Sequence, residues 1–404
     1  MESPKVGNPM RVFYAQEDFP EEISLTIFLM GPTPRTQEGG ASWRKGALRI
    51  LQELGFRGEV FVPEPRDGQW AEDYTDQVAW EDEALNRSDH ILVWLPRGMR
   101  SLPGLTTNDE WGFWKGRDPA RLLFGTPPDA HKVRYQLYYA RKLGIPVYST
   151  LVDLCRAASS EGGERRQDGE CQIPLHIWRT PTFRSWYTAQ KRAGNTLCGA
   201  RVEWVHRLGN RSLFYWALHA DLYVSAESRH KSNEIVLGRP DVSAAVLYRP
   251  GHNLLETEVV LVREFRSSAR TLDGFVLELP SGSSQDNQDP IAVAIAEVQE
   301  ETGVTLKLED IHRHEVRQLV GPLSVHQAFV VSAELSDRVI AEIHARKATK
   351  GCGGVTAETE QTYPCIRKVR EILKDPGVDW STLGMILSIL EERLCFCGSF
   401  LSGS

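Results

Sequence analysis

Over the first 160 residues, apolar positions fall in short runs separated by amphipathic stretches. Residues 25–30 read as a strand ending in the turn GPTPR, 42–54 as a helix stopped by Gly55, and 59–63 as a second strand. A helix over 74–87 leads into the apolar run HILVWLP at 90–96. The pattern then repeats with a helix at 108–114, a strand at 121–124, a helix at 133–143, a strand at 145–148 and a helix at 151–158. Strands alternating with helices predict parallel pairing and a doubly wound α/β sheet. Ligands of such sheets bind beyond the carboxyl ends of the strands, so the polar residues just after each strand are the ones to weigh.

The pattern changes after a stretch without large apolar residues, RAASSEGGERRQDGE at 156–170. A segment of this composition cannot bury a core, so it is expected to be exposed. It predicts a domain over 1–155, a linker over 156–175 and a second domain over 176–404. The second part opens on β-rich runs at 212–224, 243–249 and 256–265, continues with a helix from Pro290, and adds strands near 318–331. Helices are expected over 363–373 and 382–394, giving a mixed α+β pattern. The charge-dense stretch AESRHKSNE at 226–234 reads as a solvated loop, with a phosphate-binding or interdomain surface as the alternative.

Composition narrows the function classes. The 404 residues are 41% hydrophobic and 25% charged, ordinary for globular domains. A net charge of -7 argues against a dedicated nucleic-acid binder, which would show a basic patch. It leaves room for small phosphorylated substrates held at a local site. The seven cysteines, at 155, 171, 198, 352, 365, 395 and 397, form no C-x-x-C pair and read as reduced thiols. The opening MESPKVGNPM has no basic-then-apolar signal, and no apolar run approaches the ~20 residues of a membrane span. A cytoplasmic location without membrane association is therefore expected.

The densest chemistry lies in SGSSQDNQDPIAVAIAEVQEETGV at 281–304. Asp289 is a good N-cap, Pro290 suits the first helical position, and Gly303 is a helix stop. Between them Glu297, Glu300 and Glu301 share one helical face, opposite Ile291, Ala294, Ile295 and Val298. Three clustered carboxylates repel one another unless a hard cation such as Mg²⁺ sits between them. On its own, E-x-x-E-E reads equally as a solvated acidic helix end. The wider segment resembles the Nudix box: Gly282, Glu297, Val298, Glu300, Glu301, Gly303 and Val304 fall on its pattern, while Gln288 and Ala296 replace a Glu and an Arg. VREFR at 262–266, ELPSG at 278–282 and LGMI at 383–386 extend the resemblance to about residues 200–390. It implies an α/β/α sandwich around a mixed sheet. It also implies Mg²⁺ or Mn²⁺ held by Glu297 and Glu301 with help from Glu300 and the Ser281 carbonyl. Arg266 would meet substrate phosphate, and Glu358 or Glu360 would be a late carboxylate acting as base or extra ligand. The implied chemistry is attack of a metal-activated water on a diphosphate bridge.

In the first part, GPTPR at 31–35, SWR at 42–44, VPEPRDG at 62–68, WEDEAL at 80–85, SDHILVWLP at 88–96 and TTNDEWG at 106–112 occur in order. Together they resemble the nucleoside 2-deoxyribosyltransferase-like family across 23–155, with its flavodoxin/Rossmann-like doubly wound fold. The resemblance implies covalent catalysis by a carboxylate at the anomeric carbon, with Glu110 as nucleophile and Asn108 orienting it or the ribose. Glu81 or Asp89 would contact the base or its supporting network. Gly31 would permit close ligand approach, and Arg35, Arg44 and Arg66 would bind a 5′-phosphate. The loop LPGLTTN lacks the family's Asp before the nucleophile, which favours relatives that hydrolyse ribonucleotides.

The expectation is a bifunctional nucleotide-processing enzyme. One domain would cut a nucleoside di- or triphosphate derivative to a monophosphate; the other would cleave or transfer at the N-glycosidic bond, in salvage or in nucleoside-antibiotic biosynthesis. The alternative is a nucleotide sensor that binds without turnover, a reading favoured by Gln288 and Ala296. The expected partner is a nucleotide or nucleoside, not nucleic acid or membrane, and the family resemblance implies a homodimer.

Overall fold

The structure is a computed structural model and describes residues 9–34, 41–70, 72–208, 212–283, 288–346, 352–353 and 361–398. The chain divides into two compact units, Met1–Gly238 and Arg239–Ser404.

The first unit is built on strands β1 (Arg11–Tyr14), β2 (Thr26–Met30), β3 (Glu59–Val62), β4 (His90–Trp94), β5 (Leu122–Gly125) and β6 (Val147–Tyr148). They form one six-stranded sheet in the order β1-β3-β2-β4-β5-β6, with every pairing parallel. Connecting helices are α1 (Trp43–Glu53), α2 (Tyr74–Arg87), α3 (Leu105–Arg117), α4 (Arg134–Lys142) and α5 (Leu151–Ala158). Successive side chains of a strand point to opposite faces. Accordingly Phe28, Met30, Ile91 and Val93 join Trp111, Trp114 and Phe124 in one apolar cluster. Ile27, Leu29, Val60 and Leu92 join Leu51 and Leu154 in the other. Both faces are covered, which is why these strands read as unbroken apolar runs. The cap signals also hold: the Ser42 side chain accepts from the Arg44 N–H, and Gly55 follows α1 at φ 72°.

The boundary between units differs from the expected one. Residues 160–163 are exposed, but 156–175 as a whole is not a free connector. Arg166 is fully buried, and its guanidinium donates to Asp89 Oδ1 and Oδ2 at 2.8 and 2.6 Å, to Ile173 O at 2.6 Å and to Ser24 O at 2.7 Å. Helix α6 (Pro181–Arg192) and an antiparallel sheet of β7 (Thr196–Leu208), β8 (Ser212–Val224) and β9 (Arg229–Gly238) also belong to the first unit. Asn86 Nδ2 donates to Ala200 O at 2.9 Å, Arg117 donates to Val202 O, and the Arg117–Glu203 ion pair spans 3.2 Å. These contacts tie β7 to α2 and α3. Most of the stretch expected to be a solvated loop at 226–234 is paired strand, with Glu234 opposite Ala220.

The second unit centres on a mixed sheet. Strand β10 (Val242–Arg249) pairs antiparallel with β11 (Glu258–Phe265) and parallel with a later strand, Gln327–Glu334. Short strands β12 (Phe275–Glu278) and β13 (Ser281–Ser283) lead into α7 (Pro290–Thr302). Helix α7 buries Ile291, Ala294 and Val298 against Ala245, Leu247 and Val260 on one face of the sheet. On the other face, Ile386, Ile389 and Leu390 of α9 (Trp380–Gly398) meet Val246, Tyr248 and Leu261. Between α7 and α9 the chain forms β14 (His312–Arg313), β15 (Arg317–Gln318), β16 (the Gln327–Glu334 strand), helix α8 (Asp337–Arg346) and β17 (Gln361–Lys368). The helix expected over 363–373 is mostly β17, an eight-residue partner of β11, followed by the single turn Val369–Ile372. Its alternating burial at 361–364 fits period two rather than a helix. Among the described residues, no helix is long and apolar enough to cross a membrane.

Candidate active sites

At the carboxyl ends of β2 and β4 the first unit opens into a cleft of about 580 Å³. Gly31, Arg44, Glu81 and Glu110 line it, together with Trp70, Tyr74, Arg100 and Thr106. Each arrives for a local reason. Gly31 ends β2, where a Cβ would lie 2.3 Å from Trp94 O and 2.8 Å from the Trp43 ring, so only glycine fits. Arg44 sits in the first turn of α1 and is almost fully buried. Its guanidinium donates to Leu29 O at 2.9 Å, Gly31 O at 2.6 Å, Thr33 Oγ1 at 2.9 Å and Glu64 Oε1 at 2.6 Å. Arg44 thus fastens the loop after β2 and supplies positive potential to the cleft. The role expected of it, direct 5′-phosphate capture, is at odds with so many engaged donors.

Glu110 lies in the second turn of α3, whose N-cap Gly104 adopts a left-handed conformation at φ 62°. Burial pushes the Glu110 carboxyl up to about 8; Glu81 pushes the same way, Arg44 opposes, and Asp109 adds to the rise. Glu81, on α2, accepts from Gln77 Nε2 at 2.7 Å. Glu81 and Glu110 face the same cleft with like charges, which favours the protonated form of Glu110.

Other expected residues stand elsewhere. Asp89 is a buried structural group rather than a substrate contact. Burial alone would raise its carboxyl, but the Arg166 pair and the N–H groups of Leu175 and Thr26 hold it below the usual range. Arg66 is half exposed, paired with Glu17 at 2.5 Å and stacked 4.2 Å over the Tyr14 ring, away from the cleft. Asn108 does not line the cleft: its Oδ1 accepts from Arg97 and from Gln136 Nε2 at 2.8 Å. It steadies α3 two residues before Glu110. Arg35 lies outside the described residues. Sequence reasoning passed over Trp70 and Tyr74, half-exposed rings on the cleft wall whose shape suits stacking on a planar base. Their only signal was an aromatic pair among acids in QWAEDY, a stretch without apolar periodicity.

In the second unit the expected caps of α7 are present: the Asp289 side chain accepts from the Ile291 N–H, Pro290 opens the helix, and Gly303 closes it at φ 70°. A Cβ on Gly282 would stand 1.9 Å from Glu297 Oε1, so β13 and the α7 carboxylate approach as closely as a bare backbone allows. The Ser281 backbone meets the cluster through its N–H, which donates to Glu301 Oε2 at 3.0 Å. Burial pushes the Glu301 carboxyl up to about 8; the Ser281 N–H opposes, Glu297 and Glu264 push it further, and Arg266 pulls it back. Arg266 is ion-paired with Glu278 at 2.7 Å and Glu264 at 2.9 Å, which holds the cation at the edge of the acidic group. Glu300 departs from the expected set: its side chain is exposed, and among the described residues Glu297, Glu300 and Glu301 do not bring three ligand atoms within 4.8 Å of one another. Glu358 and Glu360 lie outside the described residues.

No curated protein matches the chain. The family model described as "Nucleoside 2-deoxyribosyltransferase like" matches residues 24–129, the segment that carries Gly31, Arg44, Glu81 and Glu110. The N-terminal part of this protein is therefore a nucleoside 2-deoxyribosyltransferase-like domain.

Proposed function

We propose that the chain processes nucleotides in two steps, hydrolysing a diphosphate linkage in its second unit and cleaving or transferring at an N-glycosidic bond in its first. The observation that carries the reading is the pairing of Glu110 with Glu81 in one cleft inside the matched domain. Glu110, as the anion, attacks the anomeric carbon. The C1′–N bond breaks with its electron pair leaving on the base, which takes a proton from water. Water, or a second base, then releases the sugar from the Glu110 ester. Trp70 and Tyr74 hold the base, and Arg100 with the first turn of α3 receives the substrate's phosphate end.

In the second unit the donor set fits a hard divalent cation. Glu297 and Glu264 raise the proton affinity of Glu301, and the absent Cβ of Gly282 leaves Glu297 its place. Glu297 and Glu301 would hold Mg²⁺ or Mn²⁺, which supplies charge neutralisation for a diphosphate and acidifies a bound water. Arg266 orients the carboxylates through its pairs with Glu264 and Glu278. A sensor that binds nucleotide without turnover is the second reading, favoured by Gln288 and Ala296 at two box positions.

Incubation with nucleosides, their monophosphates and diphosphate derivatives plus Mg²⁺, resolved by chromatography, tests both steps. Free base with ribose 5-phosphate is expected. Base release at the wild-type rate by Glu110→Ala would overturn the assignment, and binding without any product would favour the sensor.

A further inference from the structure

Strand β14 and helix α9 bring together a second group of ligand-type side chains in the second unit, separate from the carboxylates of α7. His312 and His314 are two residues apart on one side of an extended segment, with ring centroids 4.9 Å apart. Both face Glu392 of α9: His312 Nε2 is 3.4 Å from Oε1, and His314 Nδ1 is 3.1 Å from Oε2. One ligand atom from each of the three lies within 4.8 Å of the others. Ligands about 2.1 Å from a tetrahedral zinc stand about 3.4 Å apart, the separation of His312 Nε2 from Glu392 Oε1.

We infer that His312, His314 and Glu392 form a site for a divalent transition metal of the Zn²⁺ type. Two imidazoles and one carboxylate suit zinc better than magnesium, which prefers an all-oxygen shell. The site also has an outer partner: His314 Nε2 stands 2.8 Å from the hydroxyl of Ser332, a buried residue of β16. Donation of Nε2–H to that oxygen leaves the Nδ1 lone pair aimed at the metal, as outer hydrogen bonds to ligating histidines do. In the other tautomer Nδ1–H would donate to Glu392 and Nε2 would accept from the Ser332 hydroxyl, so metal binding selects the first. His314 and Glu392 also line a cavity of about 470 Å³ with Trp380, Met385 and Ile389, so water reaches the remaining coordination position from there.

The test is titration of the tag-free full chain with zinc chloride, followed by isothermal calorimetry and by X-ray absorption at the zinc edge. One equivalent is expected to bind through nitrogen and oxygen ligands. His312→Gln and Glu392→Gln alter half-exposed side chains and should each weaken binding at least about tenfold, as should Ser332→Ala. Absence of stoichiometric binding, sulfur in the coordination shell, or equal affinity in His312→Gln and Glu392→Gln would overturn the site.

Discussion

Gly282 and Glu297 share a space that a methyl group would fill: a Cβ on the glycine would lie 1.9 Å from Oε1 and 2.3 Å from the carboxyl carbon. The obstructing atoms belong to the end of a flexible side chain, so Gly282→Ala displaces the carboxylate rather than the backbone. Thermal stability should stay within about 1 kcal/mol of wild type. Mg²⁺-dependent release of monophosphate from a nucleoside diphosphate derivative should fall at least about tenfold, while base release is untouched. Retained phosphate-bond cleavage, measured by chromatography, would detach Glu297 from the chemistry.

Gly31 is the contrasting case, because its neighbour is the main-chain oxygen of Trp94, 2.3 Å from the Cβ position. Backbone cannot swing aside as a side chain can. Gly31→Ala should destabilise the first unit by about 1–3 kcal/mol in urea unfolding and distort the loop that Arg44 fastens. An unchanged midpoint would mean that the β2 terminus is looser than its packing implies.

The raised carboxyl of Glu110 gives base release a distinct pH dependence. A nucleophile must be ionised, so the rate should climb with pH toward about 8 and level beyond it. Removing the like charge in Glu81→Gln lowers the Glu110 carboxyl and should move that limb to lower pH. A rate that instead declines through this range would make Glu110 the proton donor. Because an ionised Glu110 disfavours the fold, Glu110→Gln should also stabilise the protein at pH 8 by on the order of 1 kcal/mol.

Arg166 and Asp89 predict acid sensitivity of the first unit. Asp89 is held below its ordinary value, so its stabilising contribution is full above the unfolded carboxylate range and is lost as the pH falls through the folded one. Asp118, also buried, follows the same sign and is held at about 2: burial raises it, while His176 and Arg121 lower it more. Acid unfolding should therefore develop between about pH 4 and 2. Arg166→Met leaves a buried carboxylate alone and should cost about 3 kcal/mol or more at pH 7. A loss below 1 kcal/mol by denaturant titration would show that Asp89 does not depend on this partner.

Local signals carried far in this chain. Helices Tyr74–Arg87 and Leu151–Ala158 and the caps of α7 were legible because propensity, capping and apolar period agree within a dozen residues. Glu110 and Glu81 were legible through motif order, and the structure brings them to one cleft. Arg166 was not, because its partner lies 77 residues away and its own neighbours are Ser, Gly and charge. Asp89 misled for the same reason: a carboxylate at a strand start looks available until the cation that claims it is known. Residues 363–368 failed differently, since tertiary pairing with β11 overrode a pattern that reads equally as helix.

The burial of Arg166 also decides where this polypeptide can be divided. Scission at the Ser/Gly-rich stretch would strand an anion in one fragment's interior and its cation in the other, and would strip the β7–β9 sheet from its helices. A break between Gly238 and Arg239 instead leaves each piece its own hydrophobic clusters.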